Sequence, residues 1–160
     1  MTTSAASVTS TALAHHQGEP GALLPILHEV QDALGYIPRE SARQIAEGLN
    51  LSRAEVHGVV TYYHHFRSEP PGRHVVEVCR AEACQSMGAD KLLKHAEHVL
   101  GCHTQAGHGS TSADGKFTLT PVFCLGLCAS SPAVVVDGKM HARITPARFD
   151  AVIGALGENK

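Results

Sequence analysis

Tryptophan is absent from this chain and aromatic residues make up only 4% of it, so any core must be built mostly from aliphatic side chains. No run approaches the ~20 apolar residues that a membrane helix needs, and direct membrane insertion is not expected. Basic charge is not in excess: a formal net charge of −2 and a pI near 6.6 leave no electrostatic footprint for nucleic acid or an anionic membrane. The first Lys or Arg is Arg39, so the N-terminus has neither the basic start of a secretory signal nor the arginines of a mitochondrial presequence. A Gly-rich nucleotide fingerprint, a nucleophile–base pairing and an internal repeat are all missing too. Catalysis by side chains alone is therefore not the expectation.

What is present is cysteine in an uneven pattern. Five is an odd number, and four of them cluster by short spacing, which points to metal chemistry in a reducing cytoplasm rather than a disulfide framework. Cys79 and Cys84 form a C-x4-C pair, Cys124 and Cys128 a C-x3-C pair, and 39 residues separate the two.

The 160 residues have room for one ordinary domain or a small one with a helical extension. Residues 1–20, rich in Thr, Ser and Ala, are expected to be a disordered tail. Residues 21–68 carry three amphipathic patterns. Leu23, Ile26, Leu27, Val30 and Leu34 recur at helical spacing until Gly35; Pro38 opens a second helix with Ala42, Ile45, Ala46 and Leu49 on one face. Ser52 and Glu55 make a capping box for a third, whose apolar side is Val56, Val59, Val60 and Tyr63. The Pro-Pro-Gly stretch within 69–73 reads as a linker.

From 74 to 160 the pattern is β-α-β-β-β-α. Strands are expected at 74–78, 116–122, 133–136 and 139–144, with Asp137-Gly138 as a hairpin turn between the last two, and helices at about 87–100 and from Thr145-Pro146 onward. Each cysteine pair starts where a strand ends. If the helix between them joins a parallel strand pair, a right-handed crossover carries both pairs to one edge of the sheet. Four such thiolates suit a [2Fe–2S] cluster, with one short loop serving each iron; a structural zinc site is the competing reading.

Several ordered motifs then carry a resemblance: Gly35-Tyr36-Ile37-Pro38, Leu51-Ser52-Arg53-Ala54-Glu55-Val56 with Gly58-Val59-Val60-Thr61, Asp114-Gly115-Lys116-Phe117-Thr118-Leu119, Cys124-Leu125-Gly126-x-Cys128 with Pro132-Ala133-Val134, and Arg143-Ile144-Thr145-Pro146. Across 22–156 the chain resembles the thioredoxin-like [2Fe–2S] ferredoxins, including the roughly 24 kDa subunit of respiratory NADH dehydrogenase. The resemblance implies a helical subdomain followed by a thioredoxin-like domain, and one [2Fe–2S] cluster on Cys79, Cys84, Cys124 and Cys128. It also implies a cis Ser131–Pro132 peptide and backbone N–H donors to the cluster sulfurs from residues 80–86 and 125–131.

Within the family, the loop Val78-Cys79-Arg80-Ala81-Glu82-Ala83-Cys84-Gln85-Ser86 looks most like the gamma subunit of soluble, molybdenum-dependent, NAD-linked formate dehydrogenases. That implies single-electron exchange with the FMN of an NAD-binding beta subunit, a molybdenum-bearing alpha subunit, and further iron–sulfur clusters on those partners. The equivalent subunits of NADH:quinone oxidoreductase or an NAD-linked hydrogenase are the alternative. Leu127 departs from the smaller residue common in the family at that position.

Four features stay outside this reading. The twelve histidines, among them His15-His16, His64-His65, His103, His108 and His141, are read as solvated surface, and Cys102 as a partly buried free thiol. Tyr62, Tyr63 and Phe66 are read as core or subdomain contacts, a pattern that a docking surface shares. Helices two and three around Leu49-Asn50-Leu51-Ser52 resemble a helix-turn-helix, but residues 39–67 balance four Arg against three Glu, too little positive charge for a DNA-binding regulator.

Overall fold

The computed structural model describes residues 4–104 and 109–157 and divides into two compact units, Met1–Pro70 and Pro71–Lys160. The division falls inside the Pro-Pro-Gly segment.

The first unit has four helices: α1 (Ala5–His15), α2 (Leu23–Leu34), α3 (Arg39–Gly48) and α4 (Arg53–Tyr62). Gly35 ends α2 in the left-handed region (φ 84°), as a helix-stopping glycine should. The Ser52–Glu55 capping box closes on both sides: Glu55 N–H donates to Ser52 Oγ (3.2 Å) and Ser52 N–H to Glu55 Oε2 (2.7 Å). Ile26, Leu27, Val30, Ile37, Ile45, Val56 and Val60 form an aliphatic core. Buried Gln31 ties down the chain after α4, its amide donating to His65 O (2.9 Å) and its carbonyl accepting from Arg67 N–H (2.7 Å).

Two expectations need correction here. The 1–20 segment is not a tail throughout, because α1 packs on α2 and α3. Its buried residues are Thr9 and Ala12, small enough for close helix approach, and Thr9 Oγ1 bonds Ser41 Oγ across the contact (2.8 Å). Tyr62 and Tyr63 are not core: they are 75% and 44% exposed, stacked edge to face on each other, while Phe66 is buried.

The second unit begins with β1 (His74–Cys79), followed by the short α5 (Glu82–Ser86), α6 (Ala89–Leu100), β2 (Ser110–Thr111), β3 (Phe117–Val122), β4 (Val134–Val136), β5 (Lys139–His141) and α7 (Pro146–Gly157). The sheet order is β2-β3-β1-β4-β5. β1 and β3 are parallel, running from His74↔Phe117 to Cys79↔Val122; every other pairing is antiparallel. α6 supplies the crossover and lies on β1 and β3, beside α7. Val76, Val78, Leu119, Val134, Leu92, Ala96, Ile144 and Phe149 make the core between sheet and helices. The hairpin turn has both central residues at positive φ (Asp137 48°, Gly138 77°), the backbone an Asp-Gly turn provides. β5 stops at His141, short of the expected 144, because Arg143 turns into positive φ (49°). No described helix is long and apolar enough to cross a membrane.

Gly72 reads in the sequence as a chain breaker, but the structure gives it a packing reason. A Cβ there would lie 2.8 Å from the Phe117 carbonyl carbon and 3.0 Å from Gly115 O, both backbone. Gly72→Ala is expected to force the start of β3 aside and cost about 1–3 kcal/mol, read as a lower urea midpoint with unchanged m-value.

Candidate metal centre

β1 delivers Cys79 to the sheet edge. Its last residues stay paired on both flanks, with Cys79 N–H donating to Ala133 O (3.1 Å) and Arg80 N–H to Val122 O (2.7 Å). The chain turns at once into α5, which presents Cys84 from its third position. Arg80 leaves the site and grips Asp90 through Nε and Nη2 (3.1 and 2.9 Å). Cys79 and Cys84 are both 2% exposed, packed with Ala89 and Ala133 and flanked by Ala81, Val122, Leu125 and Leu127. Leu127 thus serves as apolar cover for the inner sulfurs.

The second pair comes from the loop after β3. Cys124 has φ 88°, a left-handed backbone that a non-glycine residue rarely adopts, and Gly126 follows at φ 75°. A 3-10 turn at Cys128–Ser130 returns the loop, and Cys124 Sγ and Cys128 Sγ stand 3.9 Å apart, both residues exposed. The cis Ser131–Pro132 peptide then leads into β4. Arg143 N–H donates to Ser130 O (2.8 Å) and Ile144 N–H to Pro132 O (3.0 Å), pinning this return from the far side.

Electrostatics tie the loops into one site. Burial pushes the Cys79 thiol up, but hydrogen bonds from the backbone of Ala81, from Cys84, and from the backbone of Leu125 and Cys124 outweigh it and hold the thiol below its ordinary value. Two of those donors belong to the other loop. Cys84 is raised, first by burial and then by Cys79, against hydrogen bonds from Ala133 and Ser131. Cys128 is raised by its hydrogen bond with Cys124 and by the charges of Cys124 and Cys79. The surroundings of Cys79 thus favour its thiolate, the form that binds metal, whereas those of Cys84 and Cys128 favour the thiol. Among the described residues, no group of three or more His, Cys, Asp or Glu side chains is placed to hold a single ion; the sulfurs stand as two pairs.

The remaining candidates lie apart from this chemistry. Cys102 is fully buried in the aliphatic core, its thiol donating to Leu100 O (3.7 Å) and Phe117 O (3.8 Å), and burial raises it. Several histidines pair with carboxylates, His74 with Asp137 (2.7 Å) and His95 with Asp150 (2.6 Å). His108 lies outside the described residues. Neither the left-handed backbone at Cys124 nor α5 as the carrier of Cys84 has a signal in the sequence, since a five-residue helix has no period to read.

The β-α-β crossover, the later hairpin and the final helix, with two cysteine loops at one sheet edge, define a thioredoxin-like iron–sulfur ferredoxin. The sequence pattern of the thioredoxin-like [2Fe–2S] ferredoxin family matches residues 9–157, and the chain belongs to that family. It is 40% identical over 116 residues to an NADH-quinone oxidoreductase subunit of Aquifex aeolicus, covering 72% of this chain and 70% of that one. It is 32% identical over 133 residues to NADP-reducing hydrogenase subunit HndA of Solidesulfovibrio fructosivorans, covering 83% and 75%. In fold it is similar to a chain of an NAD+-reducing [NiFe]-hydrogenase (TM-score 0.69, 23% identity), matching 86% of this chain but only 22% of that one.

Proposed function

We propose that this chain is the electron-carrying subunit of an NAD(H)-linked, multi-subunit oxidoreductase, holding one [2Fe–2S] cluster on Cys79, Cys84, Cys124 and Cys128. The observation that carries this is the placement of two thiol pairs, each from its own loop, at the end of the parallel β1–β3 pair, with Leu125 and Leu127 packed beside Cys79 and Cys84 and the backbone of Leu125 and Cys124 favouring negative charge on Cys79. A donor set of four soft sulfurs in two pairs fits a two-iron rhombus, two thiolates to each iron. The cluster would supply one-electron chemistry.

The chain's own residues do the rest. Backbone donors around Cys79 stabilise negative charge on its sulfur, which favours the reduced form of whatever it ligates. Ala81, Leu125 and Leu127 keep water from the inner pair, while exposed Cys124 and Cys128 form the side at which a redox partner can approach.

The partner reading follows the relatives. Their names are those of NADH-quinone oxidoreductase and NADP-reducing hydrogenase subunits, which favours a complex of that kind; the reading adds a flavin-bearing, NAD(H)-reactive subunit beside this one, and a reducing, cytoplasmic setting suited to free thiols. The finer placement in a molybdenum formate dehydrogenase rests on the residues of the 78–86 loop alone. It predicts that a molybdenum-bearing subunit co-purifies and that formate reduces the complex; a complex free of molybdenum removes it.

The test of the cluster is direct. Anaerobically purified protein should carry about two iron and two acid-labile sulfide per chain and give a rhombic EPR signal on reduction. A colourless protein with stoichiometric zinc would sink this reading.

A further inference from the structure

The helical unit has an open, solvent-facing groove of about 520 Å³ lined by Arg39, Glu40, Ala42, Arg43, Arg53 and His57. Two helices build it. Arg39, Ala42 and Arg43 sit at i, i+3 and i+4 on the first turns of α3, and Arg53 and His57 at i and i+4 on α4. Each set is therefore one helix face, and α3 packs against α4.

The arginines are poorly neutralised. Arg43 reaches Glu47 at only 3.7 Å, with both side chains at least 60% exposed, a pairing worth little in water. Among the described residues, the side chains of Arg39 and Arg53 make no hydrogen bond or ion pair. Glu40 is the single carboxylate in the lining. Three arginines line one concave space, and nothing in the hydrophobic core requires them there, because all three are exposed. Such a basic, concave surface favours an anion.

The number and shape of the donors narrow the anion. One carboxylate has two oxygens and is satisfied by one bidentate guanidinium. Two helices bringing three planar forks and an imidazole to one groove suit a group with more oxygens and more charge, which is what a phosphoryl group offers. The groove is larger than a single phosphate needs. We propose that this groove binds a phosphorylated small molecule through a di- or triphosphate group held by Arg39, Arg43 and Arg53. None of the cysteine-loop residues takes part, so binding here is independent of the electron-carrier reading.

The experiment is calorimetric titration of the full chain with inorganic tripolyphosphate at near-physiological salt. Saturable binding is expected below about 1 mM, weakened about tenfold or more in the double variant Arg39→Gln, Arg53→Gln, two exposed positions whose change leaves the circular dichroism spectrum intact. Glu40→Gln is expected to tighten binding, since it removes the one opposing charge. Hexaglutamate and a short DNA duplex serve as competing probes. The proposal is overturned by absence of saturable binding, by equal affinity in the double variant, by hexaglutamate binding as tightly, or by the duplex binding more tightly. That last outcome would revive the helix-turn-helix reading of α3 and α4.

Discussion

Cys79→Ala is expected to yield a folded chain that holds less than about a tenth of the iron of the parent protein, whereas Cys102→Ala keeps its full complement. The two residues make a controlled pair. Both are buried cysteines of the second unit, and each has backbone hydrogen-bond partners. Their surroundings differ in kind. Around Cys79 the backbone of Ala81, Leu125 and Cys124 favours negative charge on sulfur, so the site is built for a thiolate. Cys102 instead gives its S–H to two carbonyls within an aliphatic core, and burial pushes its thiol up, so it is built to stay protonated. Replacing Cys102 by alanine removes one small apolar group; replacing Cys79 removes the atom on which both loops converge. Iron and sulfide analysis of protein prepared without oxygen, with visible absorption of the same samples, separates the two outcomes. Equal cluster content in the two variants would reject Cys79 as a ligand while leaving the family membership untouched.

Much of this architecture is legible in local sequence chemistry, and the misses have physical causes. Gly35, the Ser52–Glu55 box and Asp137-Gly138 each satisfy a backbone need within a few residues, so their readings translate directly into observed geometry. The delivery of both cysteine loops to one edge of the sheet is legible too, since a parallel pair joined by one helix leaves little freedom at its carboxyl edge. α1 is not. A helix that buries Thr9 and Ala12 has no apolar stripe, and its docking depends on Ser41, 32 residues away. β2 has two residues, too few for an alternating pattern. The exposure of Tyr62 and Tyr63 has no sequence signal, because an aromatic at a helix end looks alike whether it faces in or out. The arginine groove is hidden for a related reason: Arg39 and Arg53 are 14 positions apart, and only the packing of α3 on α4 places them around one space.

Phe149→Ala is expected to destabilise the second unit by about 3–5 kcal/mol, and Phe149→Leu by less than about 1.5 kcal/mol. Phe149 is fully buried, the largest such side chain described, and its ring meets His95 edge to face at 6.1 Å. It shares a core with Val76 and Val78 of β1 and with Val134 and Val136 of β4, two strands that frame the cysteine edge. Truncation leaves a cavity behind both strands, and a loss of this size is a large part of the ~5–15 kcal/mol that holds a typical domain together. Urea unfolding gives the magnitude. A second measurement carries the functional consequence, because a sheet that opens more often exposes Cys79 and Cys84, which are otherwise shielded. Faster release of iron to a chelator from Phe149→Ala, with Phe149→Leu close to the parent, would show that the helix-backed core keeps the inner pair closed. Unchanged release despite the lower urea midpoint would show that the two cysteine loops hold their geometry through their own hydrogen bonds, from Cys79 to Ala133 and from Arg80 to Val122, without help from α7.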